Sequence, residues 1–152
     1  MHLTNYTDYS LRVLIYLAIK PQDQLSNIKE IADAYDISKN HLMKVIYQLG
    51  KLDLVETIRG RGGGIRLARS PKDINIGSVV RQTEEGFVMV ECFDRTKNSC
   101  ILSPACQLKS VLNEALRAYL NVLDQYSLAD LVLNQEQLLE LMGLRSSSSS
   151  ML

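Results

Sequence analysis

Three cysteines, Cys92, Cys100 and Cys106, are all the cysteine of this 152-residue chain, and they fall within fifteen consecutive positions. An odd number of thiols does not pair off into a disulfide framework, which leaves metal ligation or free sulfur as their chemistry. Three thiolates satisfy an iron-sulfur cluster or a zinc ion except for one ligand. Seven residues separate the first two cysteines and five the second two. That spacing is unlike the C-x2-C pair of a zinc finger and suits a loop wrapped around a larger inorganic core. The only histidines are His2 and His41, so the fourth corner falls to a carboxylate or a small molecule. Zinc held by the three cysteines and an aspartate, and three unligated thiols, stay open on the residues alone.

A second set of residues carries charge. The chain is neutral overall, yet residues 39–72 hold eight basic side chains, Lys39, Lys44, Arg59 and Arg61 among them, against Asp53 and Glu56, a balance of +6. From residue 81 onward six basic residues face nine acidic ones. A basic segment beside a mildly acidic remainder is the electrostatic footprint of a nucleic-acid reader.

These groups need elements to position them. Leu11, Leu14, Ile15 and Ala18 share a helical face, predicting a first helix over residues 9–19 that Pro21 stops. Asn27 and Glu30 form a capping-box pair that opens a second helix over 28–35. After a turn at Asp36 and Ile37, Ser38 caps a third, with Leu42, Val45, Ile46 and Leu49 inward and Gly50 at its end. Two short helices joined this way read as a helix-turn-helix. Strands at 54–58 and 65–68 flank Arg59-Gly60-Arg61-Gly62-Gly63-Gly64, a wing. On the third helix Ser38, Lys39, Asn40, His41 and Lys44, with Met43 and Tyr47, are placed to meet base edges and phosphates, and Arg59 and Arg61 to enter a minor groove.

Further on, a brief helix covers 76–83 and a stretch without period runs from 86 to 102. Ser103-Pro104 is expected to launch a long helix reaching about residue 126. That would put Cys106 at about its third position, where free N–H groups and the dipole favour an anionic ligand. Leu108, Leu112, Ala115, Tyr119, Val122 and Tyr126 repeat at heptad spacing, a seam for a second copy, and Val111, Leu116, Leu120 and Leu123 form a neighbouring stripe. Two terminal segments, 127–133 and 134–142, complete the chain, and the serine run 146–150 reads as a disordered tail. The fold class is mainly α with a small β-hairpin: a winged helix-turn-helix plus a long dimerisation helix. The segments are 1–80 for DNA binding, 81–106 for the ligand-bearing loop, 103–143 for dimerisation and the terminal helices, and 144–152 for the tail. With neither a leader-like N-terminus nor an apolar run long enough to span a bilayer, a cytoplasmic protein without a membrane partner is expected. No Ser-His-Asp set, phosphate loop or paired acid and base shares a predicted face, so an enzyme is not expected.

The run from Leu3 to Arg12, the Ile28-Lys29-Glu30-Ile31-Ala32 helix, the segment from Ser38 to Leu49, the Arg59-Gly60-Arg61-Gly62-Gly63-Gly64 wing and the three cysteines together resemble the iron-sulfur winged-helix regulators related to IscR. The likeness spans essentially residues 1–143. In one branch a histidine three residues after the last cysteine completes a 2Fe-2S site; here that position is Lys109. The chain is more similar to the nitric oxide-sensing branch. That resemblance implies a 4Fe-4S cluster on Cys92, Cys100 and Cys106, with an aspartate near the start of the first helix of the other subunit, matched by Asp8, as fourth ligand. The seven-residue first gap is longer than the five common in relatives. The implied protein is a homodimeric repressor of promoter DNA released by nitric oxide. The alternative on the same fold is a cluster-independent regulator of cysteine or iron-sulfur metabolism.

Overall fold

The computed structural model describes residues 1–144, so the serine run lies outside the described residues. Helix α1 (Asn5–Ile19) begins four residues before the expected start, with Thr4 as N-cap accepting a hydrogen bond from the Thr7 amide. The apolar stripe misses this first turn because two of its buried positions are polar. Thr7 and Ser10 are both fully buried; the Ser10 hydroxyl donates to the Tyr6 carbonyl at 2.7 Å, and the Thr4 and Thr7 hydroxyls lie 3.2 Å apart. Satisfied hydroxyls can sit in a core without the penalty of orphaned ones.

Helix α2 (Ile28–Tyr35) starts at the expected capping box: Asn27 Oδ1 accepts from the Glu30 amide at 2.8 Å, and Glu30 Oε1 accepts from the Asn27 amide at 2.6 Å. Asp36, at φ +53°, turns the chain in the left-handed region, where a short polar side chain is tolerated. Ser38 then caps α3 (Lys39–Lys51), accepting from the His41 amide at 3.1 Å. The inner face of α3 is the one expected, Leu42, Val45, Ile46 and Leu49, packed on α1 and α2.

Strands β1 (Val55–Ile58) and β2 (Gly64–Leu67) pair antiparallel, with Val55 opposite Leu67 and Ile58 opposite Gly64. Leu54 drops out of the first strand because its N–H closes the end of α3 on the Leu49 carbonyl. In the connecting turn Gly60 and Gly62 have φ of +94° and +75°, and a Cβ on Gly63 would lie 2.1 Å from the Ile58 carbonyl oxygen, so the glycines are required by the backbone path. Ser26 extends this hairpin on its other side: its N–H donates to the Ile65 carbonyl (2.9 Å) and its carbonyl accepts from the Ile65 N–H (2.7 Å).

Helix α4 (Ile76–Thr83) follows. After the loop come α5 (Gln107–Leu123), a 3-10 turn at Leu128–Val132 and α6 (Gln135–Leu141). Helix α5 starts later than expected and ends three residues short of 126. The Ser103–Ala105 segment is a separate 3-10 turn, and Cys106, with extended backbone at ψ 114°, is the N-cap rather than the third helical residue. The C-terminal elements fold back on the first. Leu128 is fully buried beside Val13, Leu14, Ile31, Leu42, Val79 and Val80, its N–H donates to the Ile74 carbonyl, and Gln135 Nε2 donates to the Ile19 carbonyl at 2.7 Å. Each such aliphatic side chain contributes about 1.5–3 kcal/mol on burial. A paired Arg81 and Asp124 fasten α4 to the end of α5.

Candidate functional site

The reading helix presents Ser38, Lys39, Asn40, His41 and Lys44 on one exposed face of α3, together with Met43 and Tyr47. Lys39 and Lys44 have no ion-pair partner among the described residues, and neither do Arg59 and Arg61 on the wing. The remaining basic residues of the +6 segment are partly committed. Arg66 pairs with Glu56 across the hairpin at 3.0 Å, Arg69 donates to the Asp53 and Leu52 carbonyls, and the Lys51 ammonium lies 4.7 Å from the Tyr47 ring centre. Apart from Lys72 in the 3-10 turn after the hairpin, the free cations of this segment therefore lie in the first half of α3 and on the wing tip, where backbone phosphates can replace solvent.

His41 is not isolated on that face. Its ring meets the Tyr9 ring edge-on at 5.1 Å between centres. The Arg12 guanidinium lies 5.6 Å from the Tyr9 ring and 5.9 Å from the Tyr35 ring, and the Tyr35 hydroxyl donates to the Arg12 carbonyl at 2.7 Å. Burial pushes the Tyr35 hydroxyl up to about 12, partly offset by Arg12, so it stays a donor at neutral pH. Arg12 also grips Asp8 with both arms, Nε to Oδ1 at 3.1 Å and Nη2 to Oδ2 at 2.8 Å. Asp8, Arg12, Tyr9 and His41 thus form one contiguous chain from the first turn of α1 to the reading helix. Tyr9 and Arg12 are the members that the sequence reading left out. The signal was the position of Arg12, four residues after Asp8 and three after Tyr9, the spacings at which side chains meet along a helix.

The three thiols are free, Cys92 and Cys106 half-buried and Cys100 exposed. Cys92 sits in a 3-10 turn (Glu91–Phe93), Cys100 in the loop and Cys106 at the head of α5. The loop is clasped by its own acids. Glu91 accepts from the Ser99 amide and, at 2.7 Å, from the Ser99 hydroxyl, while Asp94 accepts from the Thr96 amide at 2.9 Å and hydroxyl at 2.6 Å. Hydrogen bonds from Ser99 hold the Glu91 carboxyl below its usual range. Because Glu91 adjoins Cys92 and Ser99 adjoins Cys100, this clasp ties together the backbone stretches that carry the first two cysteines. Asn98 continues the framework, accepting from the Cys100 amide at 3.1 Å and donating to the Ser103 hydroxyl at 2.8 Å. Three free thiols on one surface loop suit iron-sulfur or zinc ligation in donor type. Among the described residues no three His, Cys, Asp or Glu side chains are gathered closely enough to hold a metal ion. Asp8 in particular is engaged by Arg12.

Helix α5 separates the two apolar stripes only in part, since Val111 of the expected inner stripe is exposed and Leu116 is half-buried without joining the core. Leu120 and Leu123 pack on the core, while Leu108, Val111, Tyr119, Val122 and Tyr126 face outward. Among the described residues no helix is long and apolar enough to cross a membrane.

Comparison with known proteins agrees with this architecture. The family described as "Rrf2: Iron-dependent Transcriptional regulator" matches residues 3–134. The chain is 66% identical to the HTH-type transcriptional regulator NsrR of Bacillus subtilis (strain 168) over 145 residues, covering 95% of this chain and 99% of that one. It is 59% identical over 145 residues to the NsrR of Halalkalibacterium halodurans, with 95% and 99% covered. Among solved structures, T. potens IscR superposes with a TM-score of 0.72 at 26% identity, covering 91% of this chain and 90% of that one. CymR, the global cysteine regulator of B. subtilis, superposes with 0.66 at 27% identity, covering 86% and 95%. These relatives are regulators rather than enzymes, and the chain belongs to the Rrf2 family of transcriptional regulators.

Proposed function

We propose that this DNA-binding regulator is a cytoplasmic homodimeric repressor that responds to nitric oxide. The observation that carries the proposal is three free thiols on one clasped loop of a chain that is 66% identical to an NsrR. Residues 1–80 read promoter DNA, residues 81–106 carry the ligands and residues 103–143 pair two copies. Cys92, Cys100 and Cys106 hold a 4Fe-4S cluster, and Asp8 of the partner subunit completes its ligand set. When bound, the cluster would supply iron able to react with nitric oxide, and the Asp8 carboxylate would be its most weakly held protein ligand.

The chain's own residues supply the rest. Ser38, Lys39, Asn40, His41 and Lys44 meet the major groove and its phosphates, and Arg59 and Arg61 reach the minor groove. Asp8 has two alternative partners, the cluster or the Arg12 guanidinium that holds it in the free chain. Arg12 in turn stacks on Tyr9, which abuts His41. A change of partner at Asp8 therefore bears on the reading helix through contacts already in place. The outward stripe of α5 meets its counterpart in a second copy, setting two reading helices about one DNA turn, roughly 34 Å, apart.

The test is anaerobic purification with iron and sulfide analysis and an absorbance spectrum, followed by nitric oxide titration while promoter binding is measured in parallel. Bleaching of the chromophore together with loss of binding is expected. Protein that is colourless and iron-free yet binds as tightly would overturn the proposal. That result would favour the alternative, a cluster-independent regulator of cysteine or iron-sulfur metabolism on the same fold.

A further inference from the structure

The first turn of α1 is held from outside its own helix. Thr4, its N-cap, donates its N–H to Glu84 Oε1 at 2.8 Å and its hydroxyl to the same oxygen at 3.0 Å, across 80 positions of sequence. A hydroxyl that gives its proton to a carboxylate keeps its lone pairs free to accept. The Thr7 amide uses them, donating to Thr4 Oγ1 at 3.3 Å, while the Asp8 amide donates to the Thr4 carbonyl at 3.0 Å. Glu84 therefore fixes the residue that receives both amides. Ahead of Thr4, packing contributes little. Met1 and His2 are exposed and line an open groove of about 680 Å³, and only the half-buried Leu3 touches the core.

Glu84 itself stands on a rigid support. It is the C-cap of α4, and its N–H donates to the Val80 carbonyl at 3.0 Å. The inner face of α4, Ile76, Val79, Val80 and Thr83, is buried, and the Thr83 hydroxyl donates to the Val79 carbonyl at 2.8 Å. A carboxylate anchored beside the N-cap of α1 also meets the positive end of that helix dipole. Burial raises the Glu84 carboxyl, but hydrogen bonds from Thr7 and Thr4 outweigh it and bring the group below its ordinary value, so it accepts at neutral pH.

We propose that Glu84 is a positioning residue for the cluster: through Thr4 it sets the first turn of α1 where Asp8 can serve the partner subunit. Glu84 is not itself a ligand; it acts through Thr4 and Asp8, as an outer partner acts on a ligand by fixing its place. The role rests on the ligand set given above, with Asp8 as the fourth donor, and adds to it the group that holds that donor's helix turn. A carboxylate carried on an exposed helix start needs such support, because a frayed first turn would move it away from a site built by another chain.

In the experiment, full-length protein reconstituted anaerobically with iron and sulfide is challenged with an iron chelator, and loss of visible absorbance is timed for wild type, Glu84→Ala, Glu84→Gln, Asp8→Ala and the Asp8→Ala/Glu84→Ala double variant. Glu84→Ala should bleach about tenfold faster than wild type, whereas Glu84→Gln, whose amide oxygen still accepts from Thr4, should stay within about threefold. On the Asp8→Ala background Glu84→Ala should add less than about twofold, since both act through one donor. A second arm needs no cluster. In iron-free protein, amide hydrogen exchange at Thr7 and Asp8 should be about fivefold faster in Glu84→Ala and near wild type in Glu84→Gln, with Leu14 and Leu17 unchanged. Should Glu84→Ala fail to fold, shown by fast exchange throughout α1, Thr4→Val removes the hydroxyl bond alone and carries the same expectations. Glu84→Gln bleaching as fast as Glu84→Ala would point to the carboxylate as a ligand and overturn the positioning role, as would a full effect of Glu84→Ala without Asp8 or unaltered exchange at Thr7 and Asp8. Fast bleaching of Asp8→Ala beside wild-type behaviour of Glu84→Ala overturns this role alone. Wild-type protein that takes up no cluster, or Asp8→Ala that bleaches like wild type, refutes the ligand set and this role with it.

Discussion

Replacing Arg12 by alanine is expected to cost the free protein distinctly more than replacing its partner Asp8. The ion pair joins two side chains that are each 42% exposed, and solvent screening limits such a pair to about 0.2–1 kcal/mol. Asp8→Ala removes that pair and a favourable acid in the first turn of α1, together about 1 kcal/mol. Arg12→Ala removes the same pair and also the guanidinium lying against the Tyr9 and Tyr35 rings. Each cation–π contact contributes about 0.5–1 kcal/mol at partly exposed sites. The total for Arg12→Ala is then about 2 kcal/mol, or about 4–8 °C in midpoint for a chain of this size. Urea or thermal unfolding of the iron-free protein measures both variants and their double mutant. Equal costs for the two single variants would refute the stacking argument. The same variants in cluster-loaded protein carry the argument to function. Where Asp8 serves the cluster of the partner subunit, Arg12→Ala has no pair left to lose and its penalty shrinks by about 0.5 kcal/mol. An unchanged penalty, with cluster lifetime indifferent to Asp8→Ala, would remove Asp8 from the ligand set.

Arg59→Ala should weaken promoter binding and flatten its salt dependence more than Lys72→Ala, since Arg59 sits on the wing tip while Lys72 lies in the 3-10 turn beyond the hairpin; equal slopes in a salt-titrated assay would contradict this docking. Glu91→Gln should weaken the clasp between the residues flanking Cys92 and Cys100 and lower the iron retained per subunit about two- to tenfold, while leaving iron-free stability within about 0.5 kcal/mol, as for an exposed site. Retained iron equal to wild type would show that the clasp does not position the thiols. Glu84 accepts from the Thr4 amide (2.8 Å) and hydroxyl (3.0 Å), and its carboxyl is lowered from 4.5 because hydrogen bonds from Thr7 and Thr4 outweigh the opposing effect of burial. A lowered carboxyl contributes stability above its ordinary value that is lost as pH falls through the folded one. The stability of Glu84→Gln should therefore vary less than that of the wild type as pH falls below 4.5, measured by urea titration at several pH values; parallel curves would rule this contribution out.

Much of the head was legible because its signals are local. Asn27 with Glu30, Ser38 with His41 and the inward quartet on α3 act within one or two helical turns, and the structure follows them closely. Two features escaped for physical reasons. The first turn of α1 was hidden because Thr7 and Ser10 are buried as hydrogen-bonded hydroxyls, which interrupts an apolar period while serving the same core. The start of α5 was misplaced because Ser103-Pro104 fits a 3-10 turn as well as a helix start, leaving Cys106 to cap the helix. At the site, residue types announced the thiols and the basic face. The Arg12 contacts to Tyr9 and Tyr35 and the Glu91 clasp depend on side-chain direction across elements, which spacing along the chain does not encode.

The isolated bridge of Ser26 with Ile65 lays the residue that leads toward α2 against the edge of the hairpin. Wing and helix-turn-helix are consequently stitched at the backbone, so that swinging one alone breaks two hydrogen bonds. A signal that releases the promoter with this seam intact moves the whole head together.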